Sequence, residues 1–210
     1  MDFNWKDIMS SDCIFCDVIN SNSKKSQIEN TLLYENNDFV IIPAVGPLFP
    51  GHALIVSKKH YSNVAQMPTK VVDECISLMN NIKKQSQDIF SNLIFSEHGA
   101  CSENERGGSC IIHAHLHCIP VSNDQSLNNI DMFVQEVSIT KFSEAQQLNK
   151  PYLYISTGGS SKFYISEAVP SQLIRKIIYS NNRRTDWDWR VDKKMDMVKE
   201  TIELWSNIKL

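Results

Sequence analysis

The chain has 210 residues, 42% of them apolar and 21% charged, with a formal net charge of −3. That balance is ordinary for a soluble globular protein and supports one large core, or a core domain with an extension. It excludes a general attraction to nucleic-acid polymers or anionic membranes, so any phosphate site must be local.

No apolar run approaches the roughly 20 residues that a membrane span needs. The opening MDFNWKDIMSSDC is polar and lacks the apolar core of a signal peptide, which predicts a cytoplasmic location. Residues 1–12 read as a lead-in. The six cysteines are Cys13, Cys16, Cys75, Cys101, Cys110 and Cys118. An even count is compatible with disulfides, but a chain of this size without a signal peptide favours reduced thiols. There a Cys-x-x-Cys pair points to metal or redox chemistry.

Cys13-Ile14-Phe15-Cys16 opens the ordered part, followed by a polar loop over 21–30. TLLYENNDFVIIPA holds two apolar runs around Asn-rich turn residues, the mark of a hairpin. GPLFPGH reads as an irregular loop and Ala53–Ser57 as a short buried strand. Val72, Cys75, Ile76, Met79, Ile82 and Ile89 recur at helical spacing within 69–92. Residues 92–96 predict a strand, 97–109 a polar Gly-containing loop, and 110–120 another strand. Beyond 122 the chain is polar, with a helical stretch around Ala145. Then PYLYISTGGSSKFYISE reads as a hairpin about Gly158-Gly159. Helices are expected over 171–180 and 194–208. Strands, a helix, strands, a hairpin and helices in this order predict an α+β fold.

Three of the six histidines, His113, His115 and His117, fall at alternate positions. On a strand they share one face, roughly 7 Å apart, while Ile112, Ala114, Leu116 and Cys118 face the other way. The row is compatible with a polar solvent face, a metal site built from all three, or a catalytic row. Imidazole titrates near neutrality and serves as nucleophile, proton donor or ligand according to what its second nitrogen contacts. Gly107-Gly108-Ser109 immediately precede it. They read either as a plain flexible loop or as a backbone N–H nest for an anion.

His113-Ala114-His115-Leu116-His117-Cys118-Ile119 resembles the signature of the histidine triad (HIT) family, and three further segments support the likeness. These are Pro50 to His60 (PGHALIVSKKH), Cys13-Ile14-Phe15-Cys16, and Glu97-His98-Gly99, which sits where the family carries a short polar turn. The resemblance covers roughly residues 12–121. It implies a HIT-like antiparallel sheet with one long helix, to which a C-terminal hairpin and helices are added. It divides the chain into a catalytic domain, 1–121, and an extension, 122–210, packed on it.

The activity implied is hydrolysis or transfer at the α-phosphate of a nucleotide. His115 is then the nucleophile, with His117 and His52 beside it. Gly107, Gly108, Ser109 and Glu97 would bind nucleotide or phosphate. Relatives of the zinc-containing type join the Cys-x-x-Cys pair to two histidines, which here implies Cys13, Cys16, His60 and His113 around a structural zinc. Read alone, the pair is also compatible with a redox couple or two buried thiols. Smaller relatives dimerise through their sheets, so a homodimer is a possible partner state; the added hairpin and helices would either fill that surface or leave it intact.

This chain departs from the pattern in three places. No acid precedes PGH to hold ribose, which leaves Ile42, Val45 and Phe49 to carry base and ribose. The glycine loop is longer and includes Arg106, near a distal phosphate or in solvent. His98 either touches substrate or is a hydrogen-bonded loop residue. In the tail, Asp186-Trp187-Asp188-Trp189-Arg190 is compatible with base stacking and phosphate pairing, or with a packed anchor. Gln172 and Arg175 lie one helical turn apart, a spacing that lets both face a substrate groove. Three functions fit: a hydrolase of nucleoside phosphoramidates or dinucleoside polyphosphates, a nucleotidyltransferase, and a non-catalytic nucleotide-binding scaffold.

Overall fold

The computed structural model describes residues 13–20, 27–100, 111–122, 127, 130–165, 169–181 and 184–210. Gly107, Gly108, Ser109, Arg106, Arg183, Cys101 and Cys110 lie outside them. Eight strands form a single antiparallel sheet in the order β1-β2-β3-β5-β4-β7-β8-β6. In chain order these are β1 (Tyr34–Glu35), β2 (Phe39–Pro43), β3 (Ala53–Ser57), β4 (Asn92–Gly99) and β5 (His115–Val121), then β6 (Gln135–Val137), β7 (Tyr152–Thr157) and β8 (Ser160–Ile165). The five helices described are α1 (Ile14–Asn20), α2 (Thr69–Gln85), α3 (Phe142–Leu148), α4 (Leu173–Asn181) and α5 (Met195–Trp205). None is long and apolar enough to cross a membrane.

The central strands are buried on both faces, as their nearly continuous apolar runs require. On one face, Ile55, Phe95, Leu116 and Tyr152 pack against Cys75, Leu78, Met79 and Ile82 of α2, whose i, i+3, i+4, i+7 spacing makes one apolar stripe. On the other, α4 lays Leu173, Ile174, Ile177 and Ile178 against Ile94, Ile119 and Leu153. Near the opposite edge of that second face, Phe15 of α1 packs on Val40, Ile42, Leu54 and Val56. The strip of sheet between α1 and α4 carries the histidines.

Several expected boundaries shift: the helix expected within 69–92 ends at Gln85, short of Ile89, and β6 lies in a stretch expected to hold only a helix. Glu97, His98 and Gly99 are the end of β4, not a polar turn, because β7 pairs with them through Tyr154, Leu153 and Tyr152. The tail strand thus takes the outer edge of β4. Gly99 is required there: a Cβ would sit 2.5 Å from the Tyr152 ring. The histidine strand begins at His115, so His113 precedes it while keeping its side chain on the same face.

The C-terminal helix α5 locks the PGH loop. Thr201 Oγ1 accepts from the Gly51 N–H at 2.9 Å, and the Trp205 indole N–H donates to the Gly51 carbonyl at 2.9 Å. Gly51 itself has φ +92°, and a Cβ there would collide with the Phe90 ring. His52 is positioned by this loop.

Candidate functional site

The register of β3, β5 and β4 assembles the site. Val56 pairs with His115, and Leu54 and Ser96 flank His117 on either side. Directly paired residues share a face, so the imidazoles emerge between the apolar floor under α1 and the Ser96–His98 edge of β4.

Each imidazole of the row has its tautomer set by a specific partner. His113 Nε2 donates to the Ser57 carbonyl at 2.7 Å, which leaves its Nδ1 lone pair facing Cys13 Sγ at 3.3 Å and Cys16 Sγ at 3.6 Å. His115 Nδ1 donates to the His113 carbonyl at 2.6 Å, leaving Nε2 unprotonated. The Leu48 N–H donates to His52 Nδ1 at 3.1 Å, so His52 carries its proton on Nε2 and donates it to His117 Nδ1 at 3.0 Å. His117 is therefore left with an Nε2–H. Burial holds all four rings neutral: His113 is pushed down to about 4, His115 is lowered, and His52 and His117 lie well below the usual histidine range. For His117, the neighbouring His52 and His115 and the Arg175 guanidinium add to burial.

At the α1 end, Cys13, Cys16, His60 and His113 offer four donor atoms within 4.8 Å of one another. His60 Nδ1 lies 3.2 Å from Cys16 Sγ. A tetrahedral centre with thiolate and imidazole ligands spaces sulfur and nitrogen about 3.5 Å apart, so these separations fit a metal. Burial, with the Cys13 thiol alongside, pushes the Cys16 thiol up to about 12. A bound cation would convert the Cys16 thiol to a thiolate. The Ser57 carbonyl behind His113 is the usual outer partner of a metal-bound imidazole. Phe15, between the two cysteines, sets its ring 5.1 Å from that of His115 and 5.6 Å from that of His113.

A cavity opens over His115 and His117, lined by Ile42, Val45, Ser96 and His98 and closed on the far side by Gln172, Arg175 and Trp189. Gln172 and Arg175 do face the groove that their spacing suggested. Arg175 is 6% exposed and donates to the carbonyls of Val45 and Gly46.

Other residues fall elsewhere. Glu97, expected at the phosphate, points through to the opposite face. It accepts from the Val64 N–H at 2.7 Å and shares a 2.5 Å hydrogen bond with the Tyr152 hydroxyl. Its neighbours Ser96 and His98 face the cavity because strand alternation separates them from it. Phe49 stacks edge-on against Tyr179 with ring centroids 6.4 Å apart, away from the cavity lining.

In the DWDWR segment, Arg184 pairs with Asp186 and Arg190 with Asp188, and Lys176 sits over the Trp187 ring at 4.6 Å. Trp189 alone of its two tryptophans reaches the cavity. The Leu48 amide that orients His52 could not be read from sequence, since any residue supplies an N–H; Phe15 was signalled by its place inside the cysteine pair.

Comparison with known proteins assigns residues 25–124 to the HIT domain. An uncharacterized HIT-like protein of Methanocaldococcus jannaschii is 31% identical over 109 residues, 51% of this chain and 78% of its own. The adenosine 5′-monophosphoramidase of Saccharomyces cerevisiae is 25% identical over 142 residues, 67% of this chain and 80% of its own. Among solved structures, a zinc-bound histidine triad family protein from Mycobacterium smegmatis aligns with a TM-score of 0.43 at 20% identity, covering 66% of this chain and 90% of that one.

Proposed function

This chain belongs to the histidine triad family, and from that premise we propose that it is a nucleotide hydrolase acting at the α-phosphate of a nucleoside phosphoramidate or a dinucleoside polyphosphate. The observation that carries the reading is the 2.6 Å hydrogen bond from His115 Nδ1 to the His113 carbonyl. It directs the His115 Nε2 lone pair into the cavity, and a neutral imidazole is a good nucleophile toward phosphorus.

In the first step Nε2 forms a bond to the α-phosphorus while the bond to the leaving nitrogen or oxygen breaks. In the second, water forms a P–O bond as the P–N bond breaks, which releases the nucleoside monophosphate and restores His115. Overall, water supplies the proton that the leaving group gains. His117 presents its Nε2–H to a phosphoryl oxygen or the departing atom, and His52 holds it in that tautomer. The sequence position of Gly107, Gly108 and Ser109, directly ahead of the triad, supports their role as backbone and hydroxyl donors to the same phosphate.

Cys13, Cys16, His60 and His113 would hold a zinc ion. When bound, it supplies a cross-link between the N-terminal segment and the histidine row, not a reacting centre. Restraining His113 also restrains the carbonyl that orients His115. The yeast phosphoramidase supports a phosphoramidate as the first substrate to try.

The test is to trap a radiolabelled nucleotidyl adduct by acid quench with a panel of adenylyl and guanylyl phosphoramidates and dinucleotides. Label should appear on the wild-type chain and vanish in His115→Ala, with turnover falling at least about a thousandfold. Unchanged turnover in His115→Ala would refute the mechanism.

A further inference from the structure

The residue just ahead of α4 presents an acceptor for which the protein supplies no donor among the described residues. Gln172 sits at φ 60°, a left-handed conformation uncommon for a residue with a side chain. Its Nε2 donates to Asp188 Oδ1 at 2.9 Å. A carboxylate only accepts, so the carboxamide has one orientation, with nitrogen toward Asp188 and oxygen away from it. Asp188 is itself fixed: Arg190 donates through Nε at 2.9 Å, through a terminal guanidinium nitrogen at 3.1 Å and through its backbone N–H at 3.0 Å. The chain Arg190–Asp188–Gln172 thus aims one atom, Gln172 Oε1. That oxygen is buried and has no hydrogen-bond partner among the described residues. Gln172 lines the cavity over His115 and His117. Buried acceptors are rarely left unpaired, and this one belongs to a side chain that borders the cavity.

We propose that Gln172 is a specificity-determining residue, whose Oε1 accepts a hydrogen bond from an N–H or O–H donor on the nucleoside part of the substrate. The proposal rests on the reading of the cavity as a nucleotide site. The donor meant is a sugar hydroxyl or an exocyclic base amine, not a ring N–H. The segment around Asp188 then positions the glutamine, and Trp189 walls the same end of the cavity. Neither Gln172 nor Asp188 falls within the residues matched to the HIT domain, so selectivity is set by a part of the chain outside the catalytic motif.

Direct binding separates the sources and does not depend on turnover. Calorimetry would compare AMP and GMP with their 2′-deoxy and 3′-deoxy forms and with their counterparts lacking the exocyclic amine, purine riboside monophosphate and IMP. Wild-type protein should lose affinity ten- to hundredfold for the one analogue that lacks the recognised donor. Gln172→Leu should bind the parent nucleotide weaker by the same factor and no longer distinguish that analogue. Asp188→Asn, which lets the carboxamide rotate, should lose part of the discrimination.

Equal affinity of wild-type protein for all analogues, or a uniform loss for every nucleotide in Gln172→Leu, overturns the proposal. Selective binding without a trapped adduct keeps it and removes the hydrolase reading. Turnover without selectivity does the reverse, and no nucleotide binding at all removes both.

Discussion

The two ends of the histidine row are built from the same residue type four positions apart and do different work. His113 turns its Nδ1 to two thiols and its Nε2 to a carbonyl, a ligand's arrangement. His117 accepts on Nδ1 from His52 and keeps its Nε2–H for the cavity, a donor's arrangement. His115, between them, leans on the His113 carbonyl. The difference comes from which backbone group each ring meets: a carbonyl of β3, a carbonyl two residues back, or, through His52, the amide of Leu48. His113 and His117 thus share the Nε2–H tautomer but point it at different partners, while His115 is held in the Nδ1–H form.

Breaking the donor end should have the larger catalytic effect. His52→Gln removes the ring that fixes His117, and kcat should fall about a hundredfold. Bound metal and the thermal midpoint should stay near wild type. A matching loss of metal would show that the two ends are not separable.

Breaking the ligand end should act first on stability. Cys16→Ser should drop zinc, measured by mass spectrometry of the purified protein, below a third of an equivalent. The melting temperature should fall by about 4–8 °C, the size expected for about 2 kcal/mol in a chain this long. Turnover should fall less than in His52→Gln. Unaltered metal content would remove the site.

The smallest catalytic effect comes from the face beneath. Burial raises the Glu97 carboxyl from its usual 4.5 to about 8, so the folded state keeps a proton that the unfolded chain releases. Stability should therefore fall as pH rises from about 4.5 to about 8, by up to about 1.4 kcal/mol per pH unit from this group, and level off above. Glu97→Gln, followed by urea denaturation across this range, should flatten that slope and leave the contrast between the two ends untouched. A slope unchanged in the variant would assign the dependence to another group.

The Glu97 case also shows where reading the chain falls short. The segment Glu97-His98-Gly99 looks like a polar turn because its composition is polar. It is a strand because β7, more than fifty residues later, pairs with it. A strand sends alternate residues to opposite faces, so Glu97 is separated from a site its neighbours line. The helical stripe of α2 and the hairpin at Gly158-Gly159 needed no such distant partner and were legible from local period and turn chemistry.

From the sequence alone, alternation put three imidazoles on one face, and the four matched segments joined Cys13, Cys16 and His60 to His113. The tertiary structure decided the rest: the tautomer of each ring, the occupation of the β4 edge by β7, and the arrival of Gln172, Arg175 and Trp189 at the far wall of the cavity. Period and motif are local properties that a side chain carries with it. The partner of a buried N–H, carbonyl or amide oxygen is chosen by whatever distant segment packs against it.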